Sequence, residues 1–250
     1  MNIEYQLSGD AGRVAIENGT ANPKWFRPNV DPHDIRNLMQ KSDAIAIRDT
    51  TIWLGMMIVT AGCAVTLWPS VWSVPFWLVY GVLYGSAADS RWHECGHKTA
   101  FKTTWMNNAV YQLASFMIMR NPEIWRASHV RHHTDTIIVG RDPEIVAMRP
   151  PDLARIALAF VGVVDVYTAF KRMILHASGR IDPEEATYVA TKDHAKVFRV
   201  ARIWLAIYGC TIVAAVLMTS VLPLMLIGLP RLYGAWHHVL TGLLQHVGLA

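Results

Sequence analysis

Two stretches of the chain, Thr51–Ala88 and Ile203–Pro230, contain no Lys, Arg, Asp or Glu. An uncharged apolar run of roughly 18 residues or more is long enough to cross a bilayer as a helix. Both stretches exceed that length, which makes the chain an integral membrane protein built from helices. The composition agrees: 17% of residues are charged, against about 25% in ordinary globular chains. With 52% hydrophobic residues, intrinsic disorder and a collagen-like structure are excluded. Cys63, Cys95 and Cys210 are far apart and form neither a disulfide framework nor a CxxC metal site.

The formal net charge is +4. The positive residues flank the apolar runs, which points to membrane orientation and away from nucleic acid. Residues 1–48 are polar, open on an acidic segment unlike a cleaved signal peptide, and contain Pro23, Pro28 and Pro32. They read as a cytosolic arm with one short amphipathic helix after Asp31, and residues 49–250 as the membrane domain. Thr51–Trp68 and Val71–Ala88 form a helical hairpin around Pro69-Ser70 whose outer loop has no Lys or Arg, whereas Arg91–Arg202 is rich in both. The positive-inside rule therefore places that segment and the arm in the cytosol. Trp105–Met119 and Ile156–Phe170 are short for a span and are expected at the interface or on the cytosolic face.

Ile203–Pro230 is either one overlong span or the start of a second hairpin turning near Thr219-Ser220 and Pro223. In the second case a return helix runs from about Val221 to near His237, and Arg231 lies deep, as a functional or snorkelling charge. The fold class expected is all-α integral membrane, with transmembrane hairpins of about four spans under a cytosolic helical cap.

The histidines carry the chemistry. His93 and His97 stand at i and i+4, and His129, His132 and His133 at i, i+3 and i+4, so each cluster occupies one helix face. Imidazole is the commonest metal ligand, and such clusters chelate without distorting the backbone. Three metal chemistries compete. His93-Glu94-x-x-His97 fits HExxH, in which the glutamate activates zinc-bound water, as in an intramembrane zinc metalloprotease. That reading leaves the second cluster unexplained. A carboxylate di-iron site needs two Glu-x-x-His pairs, and only Glu94–His97 qualifies. Five imidazoles with few carboxylates are enough for two ions, of iron, zinc or copper.

At this point the chain resembles a known family, the integral-membrane fatty acid desaturases and hydroxylases. HECGH is similar to that family's first histidine box, HxxxH, and HVRHH to its second, HxxHH. Arg141-Asp142-Pro143-Glu144 resembles the acidic turn that follows the second box, and Trp125-Arg126 the residues before it. Leu244-Gln245-His246-Val247-Gly248 resembles the segment supplying a lone extra histidine. The likeness runs from about Asp31 to Ala250 and is nearest to bacterial desaturases grouped with rhizopine-catabolism proteins.

The resemblance implies two iron ions held by His93, His97, His129, His132, His133 and His246. It implies O2 as co-substrate, a lipid or fatty acyl substrate, and electrons from a separate ferredoxin, rubredoxin or cytochrome b5. It also implies a bacterial inner membrane location with the histidine boxes facing the cytoplasm. The expected reaction is desaturation or hydroxylation of an unactivated C–H bond, with no residue catalytic beyond the metal centre. Asp142 and Glu144 are expected to orient bound imidazoles through their other N–H, or to hold a turn. The family's third HxxHH box is missing. Trp236-His237-His238 has a doubled histidine, but Gly234 stands where the box needs histidine or glutamine. The chain is therefore expected to be a fragment or truncated product with little turnover on its own. His33, His176 and His194 are expected to be solvated. Trp53, Trp68, Trp72, Phe76 and Trp77 are expected to pack or lie at the membrane interface.

Overall fold

The structure, a computed structural model, describes residues 5–21, 28–145, 148 and 150–246, with side chains described as far as Leu244. Among these residues every regular element is a helix. In lipid this is the physical requirement, since a helix satisfies its own backbone hydrogen bonds. Helix α1 (Asp10–Glu17) was not foreseen in the arm. Helix α2 (Pro32–Leu38) starts at a favourable proline, and the Asp31 carboxylate accepts from His33 N at 2.7 Å.

The long helix α3 (Asp43–Thr66) begins earlier than the apolar run. Its first-turn Asp43 accepts from both the backbone N (2.9 Å) and the hydroxyl (2.7 Å) of Thr103, which ties the base of the helix to the cap. The chain then turns and re-enters through a short 3-10 turn into α4 (Val74–Val82), a π turn (Leu83–Ala87) and α5 (Ala88–Gly96). Together these make one apolar rod, Val71–Gly96, long enough to cross a membrane. The rod outlasts the uncharged run by a further two turns and carries His93 on its end. Trp53, Ala64, Trp77, Tyr80 and Tyr84 bury the α3–α4 contact, while Ile58 is 73% and Leu217 79% exposed, as lipid-facing side chains are. Trp72, 72% exposed at the hairpin turn, takes an interface-belt position, whereas Trp53 and Trp77 are packing residues.

Helices α6 (Thr104–Met117) and α7 (Pro122–Asp135) form the cap. Asn121 caps α7, accepting from Glu123 N at 3.1 Å, and Pro122 starts it. The buried Tyr111 hydroxyl donates to Pro122 O at 2.6 Å, fixing α7 on α6. The stretch read as Ile156–Phe170 is not continuous. It is two helices, α8 (Leu153–Phe160) and α9 (Val163–Ala177), bent by 84°. Gly162 makes the elbow with φ +66, and a Cβ there would stand 2.5 Å from Arg231 O.

Helix α10 (His194–Leu217) lies within the third apolar segment long enough to cross, so the described residues contain three such helices, or four if the bent α8–α9 pair is one span. The expected return helix is broken into α11 (Leu222–Leu226), α12 (Pro230–Tyr233) and α13 (Ala235–His246). Gly228, at φ +97, and Pro230 interrupt the ladder between α11 and α12. The turn after α10 does fall at Thr219, which has φ +46.

His176 corrects the expectation of solvation. It is 2% exposed and its Nε2 lies 2.6 Å from the carboxylate of the fully buried Glu185. His194 is half-buried and His33 exposed. Broken helices here are held by glycine contacts: a Cβ on Gly234 would collide with the backbone of Gly81 in α4. Gly234→Val is therefore expected to destabilise the fold by about 1–3 kcal/mol, read as a lowered thermal midpoint in detergent. A midpoint equal to wild type would show that α12 and α4 do not touch.

Candidate metal centre

Helix α5 ends at Gly96 with His97 as its C-terminal cap residue, so His93 and His97 project from the last turn of the membrane rod. Helix α7 crosses it and offers His129 and His133 from the facing side. The close crossing depends on Gly96, where a Cβ would run into the indole of Trp125. That indole stacks on His129 (centroids 4.2 Å apart, 22° between planes) and packs on Trp92 at 3.8 Å.

Four imidazoles meet here. His129 Nε2 lies 3.1 Å from His93 Nε2, 2.9 Å from His97 Nε2 and 3.1 Å from His133 Nε2, and the last two are 3.3 Å apart. All four ligand atoms lie within 4.8 Å of one another, close enough for one ion with metal–nitrogen bonds of about 2.0–2.1 Å to be reached by them after small side-chain adjustments. The protonation pattern agrees. His129 Nδ1 is 2.8 Å from a Glu144 oxygen, and a carboxylate only accepts, so the ring proton sits on Nδ1. Its Nε2 then carries a lone pair that cannot satisfy three neighbouring nitrogens at once. A cation at the shared point resolves the conflict, and a neutral all-nitrogen donor set suits iron, zinc or copper.

Glu144 is itself held by the Ser128 hydroxyl, which donates to its other oxygen at 2.6 Å. His132 is arranged in the same way: its Nδ1 is 2.9 and 3.0 Å from the two oxygens of Asp142, and its ring stacks 5.5 Å from that of His129. It is not one of the four converging residues. Asp142 also accepts from the backbone N of Ile137 and of Glu144, both at 2.8 Å, so one carboxylate orders the whole turn after α7. His246 ends the backbone of α13, and its side chain lies outside the described residues. His237 and His238 face the rod elsewhere: His237 Nδ1 is 2.6 Å from Ser86 Oγ, and His238 Nδ1 is 3.2 Å from Asp89. Sequence reasoning missed Ser128, Gly96 and Asp89, because nothing in their local pattern marks the partner that each one meets.

Burial and the mutual repulsion of neighbouring imidazolium charges lower the pKa of His97 to about 4, and the same causes lower that of His133. The hydrogen bond that His132 donates to Asp142 raises the pKa of His132. Burial pushes Asp142 and Glu144 upward, but the hydrogen bonds from His132 and from His129 and Ser128 hold both below the usual carboxylate value. At neutral pH, His97 and His133 are therefore neutral donors. Glu94 is 48% exposed and its carboxylate lies 3.3 Å from Arg91 Nη1. No carboxylate joins the four nitrogens among the described residues, so the general base of the HExxH reading is turned away from the centre.

The family described as fatty acid desaturase matches residues 66–250 of the chain. Among curated relatives, the omega-6 fatty acid desaturase, endoplasmic reticulum isozyme 1, of Glycine max is 27% identical over 59% of this chain and 38% of its own length. The Delta(12)-acyl-lipid-desaturase of Punica granatum is 26% identical over 48% of this chain and 32% of its own. The sn-1 acyl-lipid omega-3 desaturase (ferredoxin) of a Nostoc strain is 33% identical over 27% of this chain and 18% of its own. The chain thus covers well under two thirds of each of these relatives. No solved structure matches it.

Two measurements follow. Glu144→Ala frees the His129 ring and is expected to weaken metal binding about 10–100-fold, read by competition with a chelator; unchanged affinity would contradict the orienting role. For His97 the folded value of about 4 lies below the ordinary 6.5. The unfolded state therefore binds more protons between these values, and the metal-free fold loses stability as pH falls from 6.5 toward 4. His132 opposes this, since its contribution is present below 6.5 and lost as pH rises through its raised value. The two windows do not overlap, so the metal-free thermal midpoint is expected to drop as pH falls from 6.5 toward 4 and to decline again as pH rises above 6.5 through the His132 value.

Proposed function

The chain belongs to the fatty acid desaturase family, and from that premise we propose that it serves an O2-dependent lipid desaturase or hydroxylase with a histidine-held di-iron centre. The observation that carries this reading is the convergence of four Nε2 atoms, from two helices, at the end of a membrane-length rod. His93, His97, His129 and His133 would hold a first ion; His132, whose Nδ1 proton is pinned by Asp142, would serve a second, with His246 as the further ligand that the family resemblance implies. Bound iron supplies the activation of O2 and the removal of hydrogen from an unactivated acyl C–H bond.

The chain's own residues do the preparatory work. Glu144 and Asp142 keep protons on Nδ1 and lone pairs on Nε2, so ligands are presented without reorganisation. Trp125 packs against His93, His97 and His129, with Trp92 behind it. Charged sequence around the boxes, against a hairpin loop with no Lys or Arg, supports a centre at the cytoplasmic face of a bacterial inner membrane. The relatives' names support an acyl-lipid substrate, and that of the Nostoc protein supports ferredoxin as the external donor of electrons. Desaturation takes one hydrogen from each of two adjacent carbons, and these two hydrogens, with two donated electrons and two protons, reduce one O2 to two waters.

The test is lipid mass spectrometry on cells carrying the natural gene. His129→Ala is expected to abolish one unsaturated or hydroxylated acyl product and Glu94→Gln to retain it. Identical lipid profiles in wild type and His129→Ala would overturn the reading, and loss of activity only in Glu94→Gln would favour peptide hydrolysis.

A further inference from the structure

The rod carrying the first histidine pair is not a plain α-helix, because the π turn Leu83–Ala87 interrupts it less than two turns before His93. A π turn pairs i with i+5 and inserts one residue into the helical phase. Every side chain beyond it is rotated relative to those before it. The direction in which His93 and His97 leave the rod is thus set by whether this turn is kept. Switching from i+4 to i+5 pairing also leaves carbonyl capacity that the ladder does not use, and buried carbonyls need donors.

Two such donors are present, from two different helices. Trp53 Nε1 of α3 donates to Leu83 O at 2.9 Å, and Arg231 Nη1 of α12 donates to Gly85 O at 2.9 Å. Arg231 is 2% exposed, and its other terminal nitrogen is 3.6 Å from Asp165 at the start of α9. His237 adds a third tie, to Ser86. The glycines leave room for this approach: a Cβ on Gly81 would collide with the Tyr233 ring, and one on Gly85 would sit 3.5 Å from Gly234. A buried guanidinium is costly unless paired. This one is spent on a backbone carbonyl of the π turn.

We propose that Arg231 and Trp53 are positioning residues for the histidine centre, acting through the π turn to fix the rotational phase of His93 and His97. The inference rests on the reading of the four-histidine group as a metal centre. Truncating Arg231 lets the turn relax toward regular α-helix, which rotates both imidazoles away from His129 and His133 without touching a ligand.

The test uses the full chain in detergent, loaded with Co2+, whose visible bands report ligand geometry. Wild type is compared with Arg231→Met, Arg231→Lys, Trp53→Phe and Ala64→Val. The last destabilises the α3–α4 contact at a buried position (0% exposed) away from the turn. Arg231→Met and Trp53→Phe are expected to shift the bands and weaken Co2+ binding about 10–100-fold. Arg231→Lys is expected to restore part of the wild-type spectrum, and Ala64→Val to lower thermal stability with the spectrum unchanged. If Arg231→Met does not fold, Trp53→Phe and Arg231→Lys carry the comparison. Wild-type spectra and affinity in the folded variants, or an equal shift in Ala64→Val, would overturn the proposal while leaving the metal centre intact. No Co2+ binding by wild type would overturn both.

Discussion

Four imidazole nitrogens are brought to within 4.8 Å of one another around one point, and the fold spends much of its order on holding them there. The carboxylate of Glu144 fixes the proton of His129 on the far side of the ring, Ser128 fixes the carboxylate, and Trp125 fixes the ring plane. Burial and mutual repulsion then keep His97 and His133 neutral. Such an arrangement is a cost to the empty protein and a gain only with a cation present. That sign is the physical reason to read it as a binding site and not as a packing cluster.

The membrane imposes the rest. Helices are the only elements lipid permits here, so chemistry has to be placed where a helix leaves the apolar layer or where its regularity is broken. Both devices occur in the Val71–Gly96 rod. Its end carries His93, and its π turn receives side chains from α3 and α12. The broken return through α11, α12 and α13 serves the same purpose. It brings Arg231 to Gly85 and His238 to Asp89, two ties on the same stretch of the rod.

Local periodicity made part of this legible. The uncharged runs located the long helices, and i, i+3 and i+4 spacing put the histidines on two faces. What meets across the fold was not legible. Glu94 reads as a zinc-site base because it is adjacent to His93, yet adjacent helical residues point apart, and it pairs with Arg91. His176 reads as solvated in a polar stretch, yet its partner Glu185 is buried beside it. The apolar stretch around Gly162 reads as continuous, and only the backbone of α12 shows why it bends. For His176 and Gly162 a contact between segments overrides the local pattern.

The central claim is that the four converging imidazoles hold iron, and X-ray absorption at the iron edge of the purified, metal-loaded chain tests it most directly. The account predicts stoichiometric iron with a nearest shell of nitrogen or oxygen at about 2.0–2.2 Å, including the outer-shell pattern of imidazole rings, lost on replacing His129 by Ala. Iron bound without imidazole scattering, or a spectrum unchanged by that replacement, would contradict it.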